Sequence, residues 1–189
     1  MKKQVDCIFY LVDSYLYLYN LKKEEIKKYK FSNYIYYGRI VKVSQFLKKL
    51  NEIIKQEKIS KLFTGLKAIV IYEPYLQYND KKIIIDAFDQ CGFKDLKLIS
   101  TKQILSKSKT FIEINEKYLI LYNENKYFLF NINEYFSIKD IINKILKNIS
   151  KDIYLIGINE KITEIAEISK KLFYFENSSV YYLNNVKKS

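Results

Sequence analysis

The feature that most narrows what this chain can fold into is a repeated order of elements: strand, strand, strand, helix, strand, helix, strand reads twice along it. In the first pass, 5–12 is apolar and rich in β-formers, Asp13 and Ser14 make a turn, and 15–21 alternates Tyr and Leu. A third, aromatic strand is expected within 26–37. Val43, Phe46, Leu47, Leu50, Ile53 and Ile54 then recur at helical spacing, with Lys48, Lys49, Asn51 and Lys55 opposite. The unbroken Ala-Ile-Val-Ile-Tyr at 68–72 suits a central parallel strand buried on both faces, and Pro74 ends it. Asn79 or Asp80 is expected to cap a second helix with Ile83, Ile84, Ala87, Phe88 and Cys91 inward and Gly92 as its stop. A strand at 96–99 and a short helical piece at 101–105 close this half.

The order then restarts. Strands are expected at 111–114, 118–122 and 127–132, separated by turns at Asn115-Glu116-Lys117 and Asn123-Glu124-Asn125. Ser137 and Asp140 form a capping box that opens a helix with Ile138, Ile141, Ile142, Ile145, Leu146 and Ile149 on one face. A short apolar strand, 153–156, ends at Gly157. A helix from about Lys161 carries Ile162, Ile165, Ala166, Ile168 and Leu172, and 179–183 is the expected last strand. The two runs are offset by roughly 100 residues. The fold class is therefore α/β: two tandem halves, 1–106 and 107–189, each a mixed sheet flanked by helices.

Composition removes several kinds of chemistry. The sequence has no histidine and no C-x-x-C, so zinc sites, catalytic triads and imidazole acid–base chemistry lack their residues. Cys7 and Cys91 fall in apolar patterns and read as small buried hydrophobes. No apolar run approaches the ~20 residues of a membrane span, and the stretch between Asp6 and Asp13 is short for a secretory signal. A soluble cytoplasmic protein is expected, with the inner face of the membrane as an allowed location. The net charge is +12, yet Arg39 is the sole arginine among 33 basic residues. Base readout and phosphate clamping favour arginine, so an anionic membrane surface or an acidic partner fits this charge better than nucleic acid.

Residues 68–92 read AIVIYEPYLQYNDKKIIIDAFDQCG, and an apolar strand follows. With Pro74, Tyr75, Asn79, Asp80, Asp86, Ala87 and Gly92, this stretch resembles one in 70-kilodalton heat-shock chaperones and rod-shape actins. Gly38-Arg39-Ile40, ahead of the first helix, is similar to the Gly-x-Ile entry of bacterial actins, and 153–161 weakly resembles the adenosine loop of the same superfamily. The resemblance implies two ribonuclease-H-like βββαβαβ halves, a minimal actin-like fold without the inserted subdomains. It also implies where a nucleotide would sit. Family ATPases hold phosphates between two glycine-bearing hairpins, because only glycine lets the backbone come so close. The equivalent turns here are Asp13-Ser14-Tyr15 and Asn115-Glu116-Lys117, with no glycine, and the adenosine loop keeps only Gly157.

What the resemblance implies is thus a chain with no cofactor, no metal and no catalytic residue. It would be an adaptor of the kind found in pilus-assembly, DNA-uptake and type II secretion platforms, binding a membrane-anchored component or an assembly ATPase. Two alternatives stand beside it. One is a minimal ATP-binding switch that uses Asp13, Asp6, Glu73 and Glu113 near the cleft. The other is a metal-dependent nuclease in which Asp6 and Glu73 begin a carboxylate cluster, or a nucleic-acid-binding protein of the same fold. Nineteen tyrosines and twelve phenylalanines exceed what a core of this size needs. The partner-binding patch is expected at Tyr34, Tyr36, Tyr37 and Arg39, and the basic end at 184–189 suits a juxtamembrane position.

Overall fold

The alternating tyrosines and leucines after Asp13 form one strand of a hairpin: β1 (Cys7–Val12) pairs antiparallel with β2 (Tyr15–Asn20), which pairs antiparallel with β3 (Glu25–Lys30). The structure is a computed structural model that describes residues 5–59, 65–105, 110–115, 118–123, 126–132, 138–147, 153–157, 172–177, 181–183 and 185–186. After β3 come a small hairpin, β4 (Ile35–Tyr36) and β5 (Arg39–Ile40), then α1 (Val43–Gln56), β6 (Leu66–Tyr72), α2 (Tyr78–Gln90), β7 (Phe93–Ser100) and the short α3 (Thr101–Ile104). β6 runs parallel to β1 and to β7, giving the sheet order β3-β2-β1-β6-β7. The second series is β8 (Thr110–Ile114), β9 (Tyr118–Asn123), β10 (Lys126–Asn131), α4 (Ile138–Lys147), β11 (Ile153–Gly157) and β12 (Leu172–Asn177). Its sheet repeats the same order, β10-β9-β8-β11-β12. The chain divides into two compact units, Met1–Thr101 and Lys102–Ser189.

In the first unit, β1 and β6 are buried on both faces, which is why they read as unbroken apolar runs. Helix α1 buries Phe46, Leu50, Ile53 and Ile54, and α2 buries Ile84, Ala87 and Phe88. Aromatic rings join these helices to the sheet. Phe9 meets Phe88 edge-on at 4.9 Å and Phe93 at 5.4 Å, while Phe46 lies 5.3 Å from Phe31 and 6.1 Å from Phe88. Removing each ring from water contributes about 2–3 kcal/mol. Both thiols are buried: burial pushes Cys91 up to about 11 and Cys7 higher still, so neither is a nucleophile at neutral pH. In the second unit, Ile112, Ile114, Leu119, Leu121, Ile153 and Leu155 pack against Ile141 and Ile142 of α4. The period-2 alternation sends Phe111, Glu113 and Tyr122 to the opposite face.

Several elements differ from the sequence reading. The window 26–37 holds two strands, β3 and β4, because the chain turns at Phe31 and starts a second hairpin. The N-cap of α2 is Gln77; Asp80 sits in the first turn, where its Oδ2 accepts the Gln77 N–H at 2.8 Å. Leu172 opens β12 and does not close a helix, since Leu-Phe-Tyr-Phe is a β-forming run. Residues 181–183 are helical where a strand was expected. Ser137 and the helix expected from Lys161 lie outside the described residues. Among the described residues, no helix is long and apolar enough to cross a membrane.

Candidate functional site

The C-terminal ends of parallel strands are where open α/β sheets place ligands. In the first unit that end is built from the β1–β2 turn, the segment after β6 and the β4–β5 hairpin. Asp13 adopts a left-handed backbone with φ of 50°, a conformation that aspartate tolerates better than most side chains, and it is almost wholly buried. Its carbonyl accepts the Gly38 N–H at 2.9 Å, and the Ser14 carbonyl accepts the Phe31 N–H at 2.7 Å. The turn is thus engaged by the chain's own backbone.

The hairpin tip lies over the end of β1. Tyr37 and Gly38 form a two-residue turn with φ of 50° and 74°, the doubly left-handed geometry of tight hairpins. A Cβ at Gly38 would lie 3.4 Å from the Leu11 carbonyl oxygen and 3.9 Å from Glu73 Cγ. Beneath the tip, Glu73 is fully buried and accepts the Tyr10 hydroxyl at 2.5 Å. The Tyr75 hydroxyl donates to the Tyr37 carbonyl at 3.4 Å. A hairpin therefore occupies the end of the sheet where a phosphate-binding turn was sought.

The carboxylates do not gather. Asp6 lies at the other end of β1, where its Oδ2 accepts the Lys67 N–H at 2.9 Å and its own N–H donates to the Lys67 carbonyl at 2.9 Å. Glu73 follows the far end of the same β6, so at about 3.3 Å per residue the two acids are roughly 20 Å apart along the strand. The expectation that Asp6 and Glu73 begin a metal-binding pair is corrected: the parallel register of β1 and β6 puts one at each end of these strands. Among the described residues, no group of three or more metal-ligating side chains converges.

In the second unit, Glu113 is buried on β8 and its Oε2 accepts the hydroxyls of Tyr122 at 2.9 Å and Tyr182 at 2.7 Å. It ties the helical residues 181–183 to the sheet. Asn115 ends β8 as Asp13 ends β1, is fully buried, and donates its N–H to the Tyr118 carbonyl at 2.9 Å. Gly157 has a packing reason for lacking a side chain, since a Cβ there would meet the Ile114 carbonyl oxygen at 2.9 Å.

Of the residues expected to bind a partner, three share the hairpin. Tyr36 is 56% exposed and pairs across the strands with Arg39, while Tyr37 packs its ring 4.1 Å from that of Tyr36. Arg39 Nε lies 3.4 Å from Asp80 Oδ2, tying the hairpin to the start of α2. Tyr34 is half-buried and turns inward, edge-on to Phe31 at 6.2 Å. Sequence reasoning missed Val41, 54% exposed, and Tyr78, 78% exposed at the first residue of α2. Tyr78 carried one signal: it is an aromatic off the apolar stripe of its helix.

No family model matches the sequence, and a comparison with curated proteins returns no match. Solved structures do match. Ethanolamine utilization protein EutJ from Carboxydothermus hydrogenoformans aligns with a TM-score of 0.68 at 11% identity, covering 98% of this chain and 90% of its own. MreB5 of Spiroplasma citri, bound to ADP, aligns at 0.62 and 8% identity, covering 96% and 94%. The AlfA filament, bound to AMPPNP, aligns at 0.55 and 16% identity, covering 97% and 94%.

Proposed function

We propose that this chain, which has the actin-like fold, is a non-catalytic adaptor. It binds partner proteins at the cytoplasmic face of a membrane, in an assembly of the pilus, DNA-uptake or type II secretion kind. The observation that carries this reading is the seated hairpin: the Gly38 and Phe31 N–H groups bind the carbonyls of the β1–β2 turn, and the tip covers Glu73. A phosphate cradle needs backbone N–H groups aimed at the ligand and room for the backbone to approach it. This turn offers Asp13 in place of glycine and a hairpin in place of room. The same hairpin presents Tyr36 and Arg39 outward, an aromatic and a cation of the kinds enriched at interfaces.

Thermal melting with and without saturating magnesium-ATP tests the first half of the reading. A ligand held by the folded state at 100 times its dissociation constant stabilises by about 2.7 kcal/mol, a shift of several degrees. An adaptor leaves the melting temperature unchanged, and a clear rise makes the chain a nucleotide switch. For the second half, Tyr36→Ser with Arg39→Ser is expected to weaken capture of the partner without unfolding the protein. Unchanged capture moves the partner site elsewhere.

A further inference from the structure

Large apolar side chains left in water gather at one end of the first unit. β1, β6 and β7 run parallel, and α1 and α2 each lead into the start of a parallel strand, so both helices begin at the end where β1 and β6 finish. The β4–β5 hairpin lies over the same end, held by the Gly38 bond to Asp13. Among the described residues of this unit, the exposed large apolar side chains are Tyr36, Val41, Val43, Tyr78 and Ile85. The first four all stand at this end. Tyr36 and Val41 belong to the hairpin and its exit, Val43 is the first residue of α1, and Tyr78 is the first of α2. Ile85 stands beside Asp86 further along α2 and falls outside the group.

The hairpin pairing turns its large side chains outward. Ile35 opposes Ile40 and both are buried, so Tyr36 and Arg39 face away from the sheet. The Val41 N–H donates to the Tyr34 carbonyl at 2.8 Å, which continues the ladder and sets Val41 on the outer face with Arg39. The tie from Arg39 to Asp80 keeps this face beside the start of α2. Free cations flank the apolar groups. Lys42 takes the N-cap position of α1, and Lys82 follows Tyr78 by one turn of α2. Both are exposed, and neither meets a carboxylate among the described residues.

We propose that this end of the first unit is a membrane-contact surface that docks on an anionic lipid bilayer. Tyr78 sits at headgroup level, where a ring with a polar tip is favoured, and Val41 and Val43 dip below it. Lys42 and Lys82 meet the lipid phosphates, each cation strengthening binding roughly fivefold. Two features favour a bilayer over other occupants. The apolar groups stand on the tips of separate elements and not along a groove or strand edge, which suits a flat surface better than an extended peptide. The chain carries +12, which draws it towards anionic lipid and repels a second copy. The inference rests on the reading that the protein works at the face of a membrane. It uses Val41, Val43 and Tyr78, whereas partner capture uses Tyr36 and Arg39, so the two can fail separately.

The test is cosedimentation of the full chain with phosphatidylcholine vesicles, alone or with about a third phosphatidylglycerol. Binding is expected to the mixed vesicles only, and should weaken as salt rises. Val41→Ser with Tyr78→Ser should weaken it about tenfold or more, and the melting temperature should hold because both side chains are exposed. Lys42→Gln with Lys82→Gln should weaken it by about as much. Lys22→Gln with Lys55→Gln removes the same charge from the opposite end of the unit, after β2 and in the last turn of α1, and should weaken it less than about threefold. The proposal is overturned if the mixed vesicles do not bind, if phosphatidylcholine alone binds as well, or if the Lys22 and Lys55 pair costs as much as the Lys42 and Lys82 pair. It is equally overturned if the Val41 and Tyr78 substitutions leave vesicle binding intact. Soluble polyglutamate that binds as tightly, and loses affinity with those substitutions, would also overturn it, since the surface would then serve an acidic protein. Vesicle binding beside a magnesium-ATP shift in melting would refute the adaptor and leave this surface standing; no vesicle binding and no shift would refute this surface and leave the adaptor.

Discussion

Replacing Glu57 by glutamine should destabilise the first unit in a way that vanishes in acid. Glu57 caps the C-terminus of α1, with its own N–H donating to the Ile53 carbonyl at 2.8 Å, yet its carboxylate reaches across to the edge of the sheet. It accepts from Lys23 at 2.9 Å, Lys27 at 2.8 Å and the Tyr29 hydroxyl at 2.8 Å, and its side chain is 1% exposed. Burial alone would push this carboxyl up. The hydrogen bonds from Lys27, Lys23 and Tyr29 outweigh burial and bring it from 4.5 down to about 2. A depression of that size is worth at most about 3 kcal/mol. The two lysines are 38% and 36% exposed, so solvent screens the pair and about 1–2 kcal/mol is the working figure.

The sign follows from the direction of the shift. A carboxyl held low in the folded state stabilises it fully above pH 4.5 and loses that contribution as pH falls towards 2. Urea denaturation of both proteins from pH 7 to pH 2.5 reads this directly. The gap between wild type and Glu57→Gln should be about 1–2 kcal/mol at pH 7 and should narrow steadily below pH 4.5. A variant as stable as wild type at pH 7, or a gap that persists unchanged at pH 2.5, would refute the argument. In the second case the loss would come from packing and not from charge.

Two further perturbations follow from the same kind of geometry. Gly38→Ala forces a side chain into a left-handed turn against the Leu11 carbonyl and should cost about 1–2 kcal/mol; thermal melting should fall, and the amides of the β1–β2 turn should exchange faster as the hairpin unseats. Tyr182→Phe removes a 2.7 Å hydrogen bond to the buried Glu113 carboxylate and should cost about 1.5–3 kcal/mol; denaturant unfolding of wild type and variant decides whether the hydroxyl matters.

The parts legible in the sequence were those with a strong period or an unbroken apolar run. The stripe Phe46, Leu50, Ile53, Ile54 and the run at 68–72 appear as α1 and β6 because burial on one face or on both leaves a direct mark on residue choice. The β4–β5 hairpin left no such mark. Its turn is Tyr37-Gly38, where hairpin signals are Asn-Gly or Asp-Gly, and each strand is two residues long. The end of the chain misled for a related reason. Val-Tyr-Tyr-Leu at 180–183 is strand-prone by itself, but the bond from Tyr182 to Glu113, 69 residues away, goes with a helical conformation. Register was invisible throughout. Nothing local says that Asp6 and Glu73 stand at opposite ends of paired strands, and that one fact decides whether they share a metal. Composition said only that some aromatics should be exposed, not which, and the tie from Arg39 to Asp80 depended on which residue capped α2.

The seated hairpin also bears on how this protein can change over evolutionary time. Were Asp13 and Ser14 replaced by glycines, the turn would still have its carbonyls bound by Gly38 and Phe31, and the tip would still lie over Leu11 and Glu73. Opening room at this end of the sheet would require a change in the turn together with a shortened or displaced hairpin. Either change alone would loosen the end of the first sheet. The hairpin therefore couples positions far apart in sequence: a change at Asp13 is felt at Gly38, and a change at Gly38 is felt at Leu11 and Glu73, so these residues are free to vary only together.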